Sequence, residues 1–391
     1  MKPKKKDVEV FLFVDALGWK IVNDFDFLKT ELPYRGPAQM QFGYSSTAIP
    51  TILSGCRPQE HGHLSFYFFD RKNSPFRLFG LLPLGNNPRS LWNRGRVRGI
   101  ISRWFKRLMR YTGYFQLYNM PFNRLPYFDY CEKQDIFVAG GLAPCKNLCD
   151  VLDASGLRYH ISNWRKSEEA ILMAAEALMA AGDTDFYFIY TAALDGMLHQ
   201  KISQPDAIAE KLKFYEAHVR KMLELLHDGA ERFTFTIFSD HGMTPLAGTA
   251  DVKGEVEKLD LHFGKDYVAT YDSTMFRVWF LKDGVRDTVM RAVNADRFPG
   301  SWVSSEDKKR YGIDFADHKY GDEIFLMNPG IQIAPSDMGS GALPGMHGFL
   351  PEDEHSTAAV LSTSPFPPVG EVADFFGLMQ RGIDRLLAVR D

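Results

Sequence analysis

The chain of 391 residues is 45% hydrophobic and 24% charged, a composition that suits a water-soluble globular protein with a sizeable core. Its 46 basic residues stand against 49 acidic ones for a net charge of −3, which argues against a dedicated nucleic-acid binder. Four cysteines in this length cannot build a disulfide scaffold. No apolar run reaches the roughly 18 residues that span a bilayer.

Lys2, Lys4, Lys5 and Lys6 imitate the basic region of an export signal, but the apolar run Val8–Val14 is interrupted by Glu9 and ends at Asp15. That run is too short for an export segment and lacks a small-residue cleavage site. It reads as the first buried strand of a cytoplasmic protein. Next comes Gly43-Tyr44-Ser45-Ser46-Thr47-Ala48-Ile49-Pro50, in which Ser46 and Thr47 are placed to cap a helix before Ile49–Leu53.

Residues 66–135 differ in composition. No Asp or Glu falls between Arg71 and Phe128, while Arg71, Lys72, Arg77, Arg89, Arg94, Arg96, Arg98, Arg103, Lys106, Arg107, Arg110 and Arg124 all do. Within 96–110, Val97, Ile100, Ile101, Trp104, Phe105 and Leu108 follow i, i+3, i+4 spacing, with Arg96, Arg103, Lys106, Arg107 and Arg110 opposite. This pattern is a cationic amphipathic helix. Three readings compete: an apolar face packed on the main domain, a helix lying on an anionic membrane surface, or arginines lining a cleft for a polyanionic substrate.

Helices are expected at Ser167–Ala181, which opens with Ser-Glu-Glu and closes at Gly182, and at Gln204–Leu226, which begins Gln-Pro-Asp. Between and after them, Phe186–Tyr190 leads towards Asp195, and Phe233–Phe238 runs into Ser239-Asp240-His241-Gly242. Such runs, separated by helices, predict an α/β fold with a mostly parallel sheet covered on both faces. Residues 250–335, with strand-like Tyr267–Thr270 and Met275–Phe280, form a second insertion or small cap. One domain over residues 1–391 is expected, decorated by these two segments.

Ligands of open α/β sheets gather beyond the carboxyl ends of the strands, so strands ending in Asp or Asp-His aim their side chains at one crevice. Asp and His are the types that ligate zinc-like metals. Asp15, the Asp240-His241 pair, Asp195 with His199 one helical turn on, and His347 between Met346 and Gly348 are the candidates.

Their order and spacing resemble the alkaline phosphatase superfamily, in its nucleotide pyrophosphatase/phosphodiesterase (type I phosphodiesterase) branch. The matching features are Asp15 at a strand end, Ser45 ten residues before Gly55, Pro58-Gln59-Glu60-His61-Gly62, Asp195 with His199, Ser239-Asp240-His241-Gly242-Met243, and His347-Gly348-Phe349. The pattern spans about residues 8 to 362. It implies an alkaline-phosphatase-like fold and two divalent metal ions, zinc by resemblance and manganese by ligand type as an alternative. Asp195, His199 and His347 would hold one ion, and Asp15, Asp240 and His241 the other. Ser45 would be the nucleophile, with Ser46 the alternative, forming a phosphoseryl intermediate in the hydrolysis of a phosphodiester or pyrophosphate bond.

Two departures matter. The family's Asn three residues after the nucleophile is Ala48 here, so phosphoryl-oxygen contacts must come from Ser46, Thr47 or a basic residue of an insertion. The Cys-x-Pro-x-Arg signature of sulfatases is absent at the nucleophile. A phosphorylated small molecule or a lipid-linked phosphate is the expected substrate, with peripheral contact to an anionic inner membrane face through 96–110. Phosphoryl or head-group transfer, phosphomonoester hydrolysis, and a non-catalytic metal-binding protein docked on a membrane are the alternatives. Arg277, close to Asp272, is expected mainly as a structural ion pair, with substrate contact as the other reading. Cys145 and Cys149 have no second pair nearby to make a zinc site.

Overall fold

The computed structural model describes residues 5–81, 92 and 94–389; Lys2, Lys4 and Arg89 of the basic stretches lie outside them. A six-stranded sheet runs in the order Tyr34–Ala38, Ala358–Ser362, Ala230–Phe238, Lys5–Val14, Phe186–Thr191, Tyr159–Ile161. Lys5–Val14 is parallel to both neighbours, and Ala358–Ser362 is antiparallel to both of its own. The sheet is therefore mostly parallel, as the sequence predicts.

Alternation along the first strand decides what covers each face. Val8, Val10, Leu12 and Val14 pack with Ile171, Met179, Leu212 and Val219 of the helices Glu168–Ala181 and Pro205–Gly229. Phe11 and Phe13 point the other way, onto Ile52, Leu148 and Phe375 of the helices Ser45–Ser54, Leu148–Ser155 and Asp374–Ala388. Glu9 shares that second face and is buried; Arg385 makes two bonds to its carboxylate, of 2.8 and 2.9 Å, satisfying both oxygens. Ser167 caps its helix by accepting from the Ala170 N–H, and Gly182 ends it in the left-handed region.

A second, antiparallel sheet has the order Tyr267–Tyr271, Met275–Phe280, Glu323–Met327, Gly300–Trp302. The basic segment is closed at its base by the antiparallel pair Tyr67–Phe69 and Phe128–Tyr130. Its aromatic residues, among them Phe76, Phe105, Phe115 and Phe122, form one cluster with Val268 and Trp279 of the second sheet. The two insertions thus share a core.

The helix Gly95–Leu108 is present, but its buried side differs from the one its apolar spacing predicts. Arg98, Ser102 and Phe105 face inward, and the Arg98 guanidinium donates to the carbonyls of Leu117, Tyr118 and Met120. Ile100, Trp104 and Leu108 face outward, 58, 62 and 55% exposed, beside exposed Arg103 and Arg107. Carbonyl groups of a neighbouring loop, which periodicity cannot foresee, hold the helix in this rotation. No described helix is long and apolar enough to cross a membrane.

Candidate active site

The carboxyl ends of three adjacent strands deliver the acidic residues. Asp15 follows the first strand, and Ala16 turns the chain with φ of 63°. The Ala16 N–H then donates to Asp240 Oδ1 at 3.2 Å, tying the first strand's exit to that of Ala230–Phe238. The Tyr190 hydroxyl donates to Asp15 Oδ2 at 2.7 Å. His241 follows Asp240 and is fully buried; its Nδ1–H donates to the Gly242 carbonyl at 2.8 Å, which leaves the Nε2 lone pair facing the site. Gly242 is required here, because a Cβ would lie 2.1 Å from the His355 carbonyl oxygen.

Asp195 sits in the first turn of the helix Ala193–Lys201 and His199 one turn later. The His199 Nδ1–H donates to the Gly345 carbonyl at 2.9 Å, and Nε2 lies 3.5 Å from Asp195 Oδ1. His347 Nε2 is also 3.5 Å from that oxygen, and its ring stacks on His241 at 3.8 Å between centroids. Gly348, at φ of 86°, lets the Tyr44 ring pass where a Cβ would come within 2.5 Å of it. The Tyr44 hydroxyl donates to Thr274 Oγ1 at 2.7 Å, and that hydroxyl donates to the Gly348 carbonyl at 2.6 Å, fixing the His347 loop against the start of the helix Ser45–Ser54.

Ser45 is the first residue of the helix Ser45–Ser54, with its Oγ 3.0 Å from His241 Nε2. The leading N–H groups of such a helix lack intrahelical partners and point towards negative charge. Ser46 also lines the cavity, and its buried Oγ has no partner among the described residues. Neither Ser46 nor Thr47 caps the helix; the cap position is Tyr44. Thr47 is fully buried and donates to the Leu64 carbonyl at 2.5 Å, so the expected Thr47 contact with substrate is replaced by a structural bond. His61 is likewise buried and bonded to Thr51 Oγ1 at 3.0 Å.

Arg277 differs from its substrate-contact reading in the same way. It is fully buried and bonded to Asp272 Oδ2 at 2.8 Å, the Tyr67 carbonyl at 2.9 Å and Ser65 Oγ at 3.0 Å. Its donors are committed inside the protein, and it reaches the cavity only through Asp272 and Ser65, which line it. Among the described residues, no basic side chain of the 66–135 segment lines the cavity, so the arginines described there do not grip a polyanion in it.

The charges at the site call for a cation. Asp15 Oδ1, Asp240 Oδ2, Asp195 Oδ1 and His347 Nδ1 are buried without hydrogen-bond partners among the described residues. Burial, then the charges of Asp240 and Asp195, pushes the Asp15 carboxyl well above the usual range. Burial works against charge on His241, yet the carboxylates of Asp240, Asp15 and Asp195 overcome it and push the imidazole up to about 10. His347 is held well below its ordinary value by burial and by its two histidine neighbours, which keeps it neutral. Against three converging carboxylates, the positive charge of the described side chains is limited to protons on His241 and, beside Asp195, His199. Divalent cations fit this donor set better, since each orphaned atom gains a partner. The donor atoms gather as Asp15, Asp240 and His241, and as Asp195, His241 and His347, each group within 4.8 Å. His199 adjoins the second group through Asp195.

These residues open into a cavity of about 630 Å³, with Phe66, Tyr114, Tyr118, Phe137 and Trp164 on its walls. Glu132 lines it as well and is a residue that the sequence gives no reason to single out.

Comparison with protein families matches residues 44–349 to the type I phosphodiesterase / nucleotide pyrophosphatase family. Comparison with curated proteins finds no match. Among solved structures, murine ectonucleotide pyrophosphatase / phosphodiesterase 5 aligns with a TM-score of 0.67 at 12% identity, over 98% of this chain and 95% of that one. An inactive form of the murine protein in complex with AMP aligns at 0.66 and 13% identity, over 97% and 95%. The human protein aligns at 0.66 and 12%, over 98% and 95%. At these identities the structural likeness speaks for the fold.

Proposed function

Because the chain belongs to the type I phosphodiesterase / nucleotide pyrophosphatase family, and is a hydrolase of that kind, we propose that it cleaves a phosphodiester or pyrophosphate bond through a covalent intermediate on Ser45. The observation that carries this is the Ser45 Oγ at 3.0 Å from His241 Nε2, beside carboxylate oxygens without a hydrogen-bond partner among the described residues. Asp15, Asp240 and His241 would hold one divalent ion, and Asp195, His199 and His347 the other; zinc suits this set, and manganese is the alternative. When bound, such ions lower the pKa of a hydroxyl and offset charge on phosphoryl oxygens.

The chain's own groups do the rest. The helix Ser45–Ser54 presents Ser45 at its positive end, where the leading N–H groups face the phosphoryl oxygens. Ser45 Oγ attacks phosphorus and the leaving group departs opposite; water then attacks the phosphoserine in line, returning the serine. With Ala48 in place of an Asn, the free Ser46 hydroxyl is the side chain best placed to meet a phosphoryl oxygen. The AMP complex of the murine relative supports a phosphorylated small molecule as ligand.

Peripheral docking on an anionic membrane is a further part of this reading. It is supported by the outward stripe of Ile100, Trp104 and Leu108 beside Arg103 and Arg107. A lipid-linked phosphate would then be within the enzyme's reach.

The test is turnover of bis-p-nitrophenyl phosphate and p-nitrophenyl phosphate by metal-loaded protein, with Ser45→Ala and Asp240→Asn as controls. Diester cleavage abolished by both substitutions is the expected result. Activity on the monoester alone would overturn the substrate class. Release of nitrophenol that needs an added alcohol would point to transfer, and inactivity with no metal bound would overturn the reading altogether.

A further inference from the structure

Three carboxylates line the cavity outside the proposed metal-holding residues: Glu132, Asp135 and Asp272. Two of them are answered within the protein. Asp272 is paired with Arg277 at 2.8 Å. Asp135 is paired with Arg165 at 2.8 Å and also accepts from the Trp164 indole N–H at 3.2 Å and the Phe137 N–H at 3.0 Å.

Glu132 has no such partner. It is 8% exposed, it faces the cavity, and among the described residues no donor bonds to its carboxylate. The described cation that bears on it, Lys106, donates instead to the Gly113 carbonyl at 2.5 Å and lies 5.7 Å from the Trp164 ring centroid. Among the described residues, no lysine or arginine lines the cavity.

Aromatic rings surround this acid. Phe66 packs on Tyr114 and Tyr118 with centroids 5.4 Å from each, and the two tyrosine hydroxyls are 2.8 Å apart. Both Glu132 and Asp195 bear on Tyr114: its hydroxyl is raised by burial and then by these two carboxylates. The aromatic wall therefore joins the acid to the proposed metal centre.

A buried acid without a partner among π-faces, in a cavity that no described lysine or arginine lines, offers a second phosphate no counter-charge, whereas an organic cation meets ring faces and a group that can ionise towards it. We propose that this part of the cavity binds a positively charged ammonium group carried by the phosphoester substrate, with Glu132 as counter-charge and Phe66, Tyr114 and Tyr118 as the apolar wall. The assignment rests on the hydrolase reading above and narrows it to esters that carry an amine on one side of phosphorus. A nucleobase could stack on the same rings, but it would bring no positive charge to Glu132. Burial pushes the Glu132 carboxyl up to about 8, so an arriving ammonium would displace a proton.

The experiment compares kcat/KM of metal-loaded protein for four p-nitrophenyl esters: phosphorylcholine, phosphorylethanolamine, methyl phosphate and thymidine 5′-phosphate. Wild type should prefer the two ammonium esters to the methyl ester by roughly tenfold or more, and Glu132→Gln should bring that ratio towards one. A larger gain for ethanolamine would assign the selectivity to hydrogen bonds from N–H, and a larger gain for choline to the rings. A preference for the thymidine ester, or a ratio unmoved by Glu132→Gln, would overturn the assignment.

A second readout does not depend on turnover. Calorimetric titration of the same holoprotein with ethanolamine phosphate and with methyl phosphate, in buffers of different ionisation enthalpy at pH 7, should show proton release on binding the first alone. Glu132→Gln should abolish that release, and its absence in wild type would overturn the proposal even in a protein that cleaves none of the esters. Tyr118→Leu, which leaves the acid intact, should weaken choline-ester selectivity if Glu132→Gln fails to fold.

Discussion

Arg277 offers a direct contest between a structural and a substrate role. The substitution Arg277→Met keeps much of the apolar stem and removes the guanidinium. Asp272, 2% exposed, would keep only the Ser65 hydroxyl at 3.3 Å and the Tyr67 carbonyl would lose its donor. Breaking one side of a buried pair in this way costs about 3–5 kcal/mol, because the remaining charge is left without compensation. The double variant Asp272→Leu/Arg277→Met removes both charges and should recover part of that loss, the difference measuring the coupling. The pH dependence has a definite sign. Burial already raises the Asp272 carboxyl above its ordinary value, and Arg277 is the main influence opposing this. Without Arg277 the folded protein holds the proton to still higher pH, so the stability of Arg277→Met falls as pH rises, relative to wild type. Urea unfolding followed by tryptophan fluorescence at pH 5.5 and 8 would read all three quantities. Wild-type stability in Arg277→Met, accompanied by a raised KM, would refute this reasoning and return Arg277 to substrate binding.

Ser45→Ala should lower kcat by on the order of 10⁴-fold or more without changing the unfolding midpoint, whereas Ser46→Ala should cost far less; the reverse order would exchange their roles. Removing divalent ions by chelation should lower the thermal midpoint as well as activity, and an ion restored at 100 times its Kd should return about 2.7 kcal/mol, measured by calorimetry alongside elemental analysis. Burial pushes the Glu132 carboxyl up to about 8 from an ordinary 4.5. Its folded-state pKa is raised, so wild type loses stability as pH climbs from about 4.5 to 8, and Glu132→Gln does not. The gap between them should widen towards pH 8 by at most on the order of 5 kcal/mol. The other groups facing Glu132 leave that window to it, since the hydroxyls of Tyr118 and Tyr130 and the Cys131 thiol are pushed well above their ordinary values, and Lys106 is the cation that bears on it among the described residues. Thermal midpoints from pH 5 to 8.5 would check this, and parallel curves would exclude it. Wild type should co-float with phosphatidylglycerol vesicles and not with phosphatidylcholine ones, and Trp104→Glu should abolish this; flotation unaffected by that change would remove the helix from the interface.

What the sequence reveals of this protein, and what it conceals, divides along the distance over which each residue acts. Asp15, Asp240 and Asp195 can be singled out because a carboxylate just past a buried strand or in the following helical turn has a destination set by the strand itself. The structure does bring them to one place, with His241 and His347 stacked between them. Thr47, Arg98 and Arg277 are polar residues whose partners are carbonyls and acids brought in by other segments: Leu64 for Thr47, the 117–120 loop for Arg98, Asp272 and Tyr67 for Arg277. Periodicity gives Arg98 no reason to turn inward, and it is the loop's carbonyls that rotate the helix and leave Trp104 in solvent. Glu132 lies at the far limit of this series. It is an ordinary acid four residues beyond a stretch that has none, and it acquires meaning only because the pairing of Tyr67–Phe69 with Phe128–Tyr130 folds it back beside Phe66 and Tyr118. The residues proposed to hold metal follow from their own strands and turns, whereas the group that would choose among substrates is made by long-range packing. In this chain the reaction type is accordingly written locally and the specificity is written in the fold.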